Sequence, residues 1–330
     1  MVAAMTTSPP DLAAGGPVAA PAPEPAAPGP SPAAPPPPLA GPEVRARVLT
    51  ELKDAVAAAR AADARASTDP AGAVHEVRKA LRRMRALVDA VAPALARDDR
   101  RRLRSALVEA RRTLGPARDR TVAHLALTEV PAELADHARA VVAASAEQAP
   151  PPAAELEVLA RAVAEADAQA VALAAALPED LRPGAVARGL ARTYARARRA
   201  RRKARRSERA IHRWRRRTKE LGYQLVLVAD DAVAAELRRQ LVAVDESLGH
   251  VVDRLLLKDF VGLHGAVLDA TAAGALLTHV HDELLAGRDR ARTDSKPLFA
   301  PRPRKLRKLL RRALRGGTPA ATPATDPRSP

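Results

Sequence analysis

One Trp, two Tyr and two Phe are the whole aromatic complement of this 330-residue chain, although 47% of its residues are hydrophobic. Any core must therefore be assembled from Ala, Val and Leu. These residues interspersed with Arg favour helix, and the aromatic and β-branched runs that build strands are missing. No stretch alternates apolar and polar residues with the period of two that a half-buried strand requires. The expected fold class is all-α, arranged in bundles. With no cysteine in the chain, disulfides, Cys-ligated zinc and thiol nucleophiles are excluded, and a reducing compartment is favoured.

Local punctuation divides the chain. Pro supplies 14 of the first 42 residues. Such a segment buries too little apolar surface to offset its ordering entropy, so 1–42 is expected to be disordered, as is the similar tail 316–330. Helices are predicted over 43–66, 70–91, 98–114, 117–129, 131–147, 153–177, 185–205, 207–228, 231–248, 250–272, 274–286 and 303–315. Asp69-Pro70 reads as an N-cap followed by Pro at the first helical position, and Gly115-Pro116 as a stop. Met1 to Ala20 has neither a basic start nor a continuous apolar run, and the longest apolar run, Ala170 to Leu177, is too short to span a bilayer. A soluble, cytoplasmic protein without a transmembrane segment is expected.

Charge is unevenly placed. The formal net charge is +17. Asp11 and Glu24 are the only charges before residue 43, and Asp326 and Arg328 cancel after residue 315, so the body carries +19. Residues 129–181 hold ten acids against Arg139 and Arg161. Arg196 to Lys219 holds 14 basic residues against Glu208 alone, and Lys296 to Arg315 adds nine more with no acid. Separated acidic and basic regions on one body imply a directed field.

Two segments repeat one pattern. In Val74-His75-Glu76-Val77-Arg78-Lys79-Ala80-Leu81-Arg82 and in Ile211-His212-Arg213-Trp214-Arg215-Arg216-Arg217-Thr218-Lys219, an apolar residue precedes His. Basic residues then follow at three, four and seven positions beyond it. About 40 residues downstream come Leu114-Gly115 and Leu248-Gly249, each read as a helix end with an Asp after it, Asp119 and Asp253. The order and spacing make this an internal duplication, divided near residue 180. On a helical wheel, His75, Arg78, Lys79 and Arg82 form one stripe, opposite Val74, Val77, Leu81, Met84, Val88 and Val91. His212, Arg215, Arg216, Lys219 and Tyr223 lie opposite Ile211, Trp214, Leu221 and Leu225 in the same way. Like charges stacked on one stripe repel by a few tenths of a kcal/mol per pair. A polyanion would relieve that repulsion.

These paired His-x-x-Arg-basic helices, each followed by Leu-Gly and an Asp, resemble the CHAD family, whose name denotes conserved histidines in an α-helical domain. The resemblance spans 43–315, including Leu298-Phe299 and the final basic helix. It implies two pseudo-symmetric antiparallel four-helix bundles (about 43–180 and 181–315) and non-enzymatic binding of inorganic polyphosphate. The ligand face it implies comprises His75, Arg78, Lys79, Arg82, His212, Arg215, Arg216 and Lys219, with no cofactor and no metal. Polyphosphate granules or polyphosphate-handling enzymes are the partners that would follow. Two positions depart from the family pattern. Gly222 replaces a basic residue before Tyr223, and His250-Val251-Val252 replaces a small or polar link before Asp253. The ligand also fits on chemical grounds, because a linear phosphate chain offers no bases to read and calls for dense Arg and Lys.

Two other readings compete. Non-specific duplex nucleic-acid binding is open to so basic a chain, whereas its few aromatics are too scattered to stack single strands. Catalysis has weaker support. Glu155-Leu156-Glu157-Val158-Leu159 lacks the Lys of a triphosphate-hydrolysing Glu-x-Glu-x-Lys motif. His281-Asp282, with His264 upstream and Asp289 or Asp294 downstream, is a common dipeptide, and His279 and His281 point in different directions on a helix.

Overall fold

The computed structural model describes residues 41–115, 130–146, 152–228 and 232–315. The helix predicted at 117–129, residues 1–40 of the N-terminal tail and the tail 316–330 lie outside these residues, whereas Gly41 and Pro42, expected to be disordered, open the first helix. Among the described residues there are ten α-helices and no strand. They are α1 (Gly41–Asp63), α2 (Pro70–Val91), α3 (Arg97–Thr113), α4 (Ala135–Ala146), α5 (Pro152–Ala176), α6 (Pro183–Lys203), α7 (Glu208–Leu225), α8 (Ala232–His264), α9 (Ala270–Asp294) and α10 (Pro303–Ala313). No helix among them is long and apolar enough to cross a membrane.

α2 forms as its sequence directs. The Asp69 carboxylate accepts a hydrogen bond from the Gly72 N–H at 2.9 Å, capping the helix ahead of Pro70. Its apolar stripe, Val74, Val77, Leu81, Met84, Val88 and Val91, is buried. Full burial of each Leu- or Met-sized side chain is worth about 1.5–3 kcal/mol. α2 packs against α1, α3 and α5, and also against α6 and α7. In the second half of the chain, α6 packs against α7 and α10, and α7 against α8. A single cluster of buried residues runs from Val44 in α1 to Leu314 beyond α10. A smaller one joins α4 to the end of α8 and to α9 through Leu134, Val141, Leu257, Phe260, Leu276 and Val280.

The crossing of α2 and α6 is close enough to require glycine. A Cβ on Gly189 would sit 1.9 Å from the Ala90 carbonyl oxygen, an approach only the missing side chain permits. Because α6 and α7 both cover it, the C-terminal half of α2 is buried all round, from Met84 to Val91. The stripe opposite its apolar face is thus not a solvated surface along its whole length, and Arg85 and Asp89 are buried with it.

The break expected at Leu248-Gly249 does not occur. α8 runs unbroken from Ala232 to His264. Glycine inside a helix costs only about 1 kcal/mol relative to Ala. Burial of Leu248, Val251, Val252 and Leu255 around it outweighs that cost. α9 likewise extends beyond the expected 274–286, starting at the Asp269 cap, whose carboxylate accepts from the Ala272 N–H at 2.8 Å.

The segment leading into α10 is fastened to α6. The buried Tyr194 hydroxyl donates to the Leu298 and Pro301 carbonyls at 3.1 and 2.7 Å, and burial pushes its pKa up to about 12. Arg198 donates to the Phe299 carbonyl at 3.1 Å, and Arg201 to the Arg292 carbonyl at 2.7 Å.

Candidate functional site

The two repeated helices meet at a cleft. α2 contributes Arg78, Arg82 and Arg85, α3 contributes Arg111, and α7 contributes His212, Arg215, Arg216, Lys219, Glu220 and Tyr223; Val252 and Leu256 of α8 supply an apolar wall. The cleft encloses about 280 Å³. Six guanidinium groups, one ammonium and one imidazole thus face a space with a single carboxylate.

That carboxylate is already committed. Glu220, with 2% of its side chain exposed, pairs with Arg85, whose side chain is 6% exposed, and with Arg217 of its own helix. Asp89 behind it pairs with Arg104 at 3.1 Å and Arg217 at 3.4 Å. Gln224 adds a hydrogen bond from its side-chain amide to the Ala86 carbonyl at 2.9 Å. This buried network ties α2, α3 and α7 together beneath the cleft. Arg82 and Arg216 form no ion pair with a described residue.

The repeated Leu-Gly pairs sit against the repeated arginines. A Cβ on Gly115 would lie 3.9 Å from Arg78 Nη1, and one on Gly249 would lie 3.6 Å from Arg215 Nη2. Arg78 and Arg215 are the third residues after the two histidines. In both halves, then, a glycine keeps a side chain from covering the same guanidinium. Arg78 is further held by donating to the Arg111 carbonyl at 3.0 Å.

Crowding of like charges is visible in the proton affinities. The Lys219 ammonium is pulled below its usual pKa by burial first, then by Arg215 and Arg82, although Asp245 at 3.1 Å opposes the shift. Arg216 is lowered by desolvation first, then by Arg217, Arg85 and Arg213, against Glu220. Both shifts run against the charged form. Both mean that the charged forms lack compensation, which a bound anion would provide.

The residues expected to share one face divide. Arg78, Arg82, His212, Arg215, Arg216 and Lys219 line the cleft, and His75 and Lys79 do not. Lys79 pairs with Glu76 at 3.1 Å. His75, 62% exposed, lies close enough to Arg82, Lys79 and Lys219 for their charges to lower its pKa, after burial and against Glu76. Arg85 and Arg111 escape a reading based on single helices. Arg85 falls outside the wheel stripe, and Arg111 belongs to a helix with no motif of its own. Among the described residues no group of three or more His, Asp or Glu side chains is placed to hold a metal ion.

An all-helical protein with a cationic cleft between two like helices is the class these features define. The sequence matches the CHAD domain family over residues 47–262, and the chain belongs to that family. The match takes in both repeated helices and most of α8, and stops before α9 and α10. A search of curated proteins gives no match.

Proposed function

We propose that the cleft binds inorganic polyphosphate and that the protein acts by binding, without catalysis. The observation that carries this reading is the convergence of Arg78, Arg82, Arg85, Arg111, Arg215, Arg216 and Lys219 from three helices onto one space, with its single acid already paired. Phosphate oxygens accept charge-assisted, bidentate hydrogen bonds from guanidinium groups, each worth about 1.5–3 kcal/mol when well placed. A flexible chain of phosphates can enter a cleft of about 280 Å³, which is too small to admit a duplex. Membership of the CHAD family favours the same ligand.

The test compares two variants of equal charge. R82Q/R215Q/R216Q removes three cleft cations, and R307Q/K308Q/R311Q removes three from α10; Gln keeps helix propensity close to that of Arg and Lys. In calorimetric titration with long-chain polyphosphate, the cleft variant should lose at least tenfold more affinity than the α10 variant, at matched melting temperature. Equal losses would show that only the overall field acts. A binding isotherm that disappears with chelator and returns with magnesium would overturn the view that side chains alone supply the charge.

A further inference from the structure

A second cationic surface lies outside the cleft. α10 and the two residues after it turn Leu306, Leu310, Ala313 and Leu314 into the core and expose Arg304, Lys305, Arg307, Lys308, Arg311 and Arg315. At 100° per residue these six share one side of the helix. The neighbouring α6 exposes Arg188, Arg192, Arg199 and Arg202 along one stripe. Neither helix contains an Asp or Glu. None of these exposed cations forms an ion pair with a described residue.

The two helices run antiparallel. Arg311, late in α10, comes within 4.0 Å of a Cβ position on Gly184 at the start of α6. Tyr194 and Arg198, further along α6, hold the segment just before α10. Adjacent packed helices have axes about 8–10 Å apart, so the surface presents two parallel rows of cations. The α10 row alone spans about 16 Å at 1.5 Å per residue.

We propose that this α6–α10 face docks on the phosphate backbone of duplex nucleic acid, independently of the polyphosphate cleft. Duplex phosphates form two rigid rows bordering grooves about 6 and 12 Å wide, a spacing that brackets the separation of the two cation rows. A duplex carries about one charge per 1.7 Å of axis, and neutralising it releases counterions, so unpaired exposed Arg and Lys bind it without reading sequence. An anionic lipid surface fits less well. Leu306 and Leu310 of α10 are buried and Leu309 is half-buried, and the large apolar side chains that are exposed, Val171, Val226, Val242 and Leu263, lie outside α6 and α10, so the face lacks an exposed apolar anchor. Single strands would need stacking platforms, and Tyr194 and Phe299 are buried.

The experiment is fluorescence anisotropy of the full chain with a labelled, mixed-sequence duplex more than two helical turns long, over a salt series, repeated with polyphosphate and with phosphatidylserine vesicles. R307Q/K308Q/R311Q and R188Q/R192Q/R199Q should each weaken duplex binding at least tenfold. Each should also shrink the slope of log K against log salt by about 3, near one unit per lost phosphate contact. Both should keep polyphosphate affinity within about twofold, and R82Q/R215Q/R216Q should show the reverse pattern. Duplex affinity unmoved by the α6 and α10 variants, or lowered as much by the cleft variant, would overturn the proposal. So would vesicle binding that depends on these residues in the absence of duplex binding. Loss of polyphosphate binding only in the α10 variants would refute the cleft reading instead, leaving the two failures distinguishable.

Discussion

Glu220 is the residue at which positioning and field make opposite predictions. Glu220→Gln removes the one negative charge lining the cleft, so Coulomb's law by itself expects tighter polyanion binding. If Glu220 instead holds Arg85 and Arg217 in place, the variant should bind polyphosphate several-fold more weakly. It should also be less stable by roughly 3–5 kcal/mol, because Arg85 is left buried without its partner. Calorimetry and thermal melting on the same preparation separate the outcomes, and tighter binding would reject the positioning role. His75 offers a pH test. Its proton is held less tightly in the folded protein than in the unfolded chain, so protonation opposes folding, and this contribution to stability is lost as pH falls through about 6.5. A bound polyanion raises its proton affinity. Polyphosphate affinity should therefore climb as pH drops from about 8 to 6, with proton uptake measurable from the buffer dependence of the binding enthalpy. His75→Gln should flatten that profile, and an unchanged one would remove His75 from the ligand's surroundings.

Among the elements, α2 matters most because five others pack on it. Its contact with α6 rests on Gly189 lying against Ala90. Gly189→Ala must separate the two helices or bend one, since the obstructing atoms are backbone. A loss of roughly 1–3 kcal/mol is expected, read by chemical denaturation, and a variant as stable as the parent would show that the crossing is looser than described. α8 teaches the opposite lesson about glycine. Gly249 does not end its helix, and a Cβ there would come within 3.6 Å of the Arg215 guanidinium. Wherever a buried face continues on both sides of a lone glycine, the packing energy carries the helix through.

For the whole molecule, the distribution of charge decides what is felt at a distance and the cleft decides what is held. Polyphosphate affinity should fall linearly on a log–log plot against salt, with a slope near the number of phosphates contacted, by analogy with DNA. Several contacts from one cleft imply a steep slope, and an affinity indifferent to salt would reject electrostatic binding altogether. The acidic residues of α5 and the basic outer sides of α6 and α10 give the molecule a polarised field. Such a field steers an anionic chain during approach, so on-rates should decline with salt more than off-rates rise.

What the sequence determined alone is local. The cap at Asp69, the buried stripe from Val74 to Val91 and the two His-plus-basic stripes follow from short-range chemistry and a 3.6-residue period, which act within one or two turns. The tertiary structure decided which stripe positions face each other. The meeting of α2 with α7 gathers Arg78, Arg82, Arg215, Arg216 and Lys219 around one space, adds Arg85 and Arg111, and leaves Lys79 with Glu76 outside it. It also buries Arg85, Asp89 and Glu220 as one network. No pattern within a single helix encodes that choice. The azimuth at which two helices meet is set by the packing of residues more than a hundred positions apart, as Arg85 and Glu220 are, and only the folded chain brings them together.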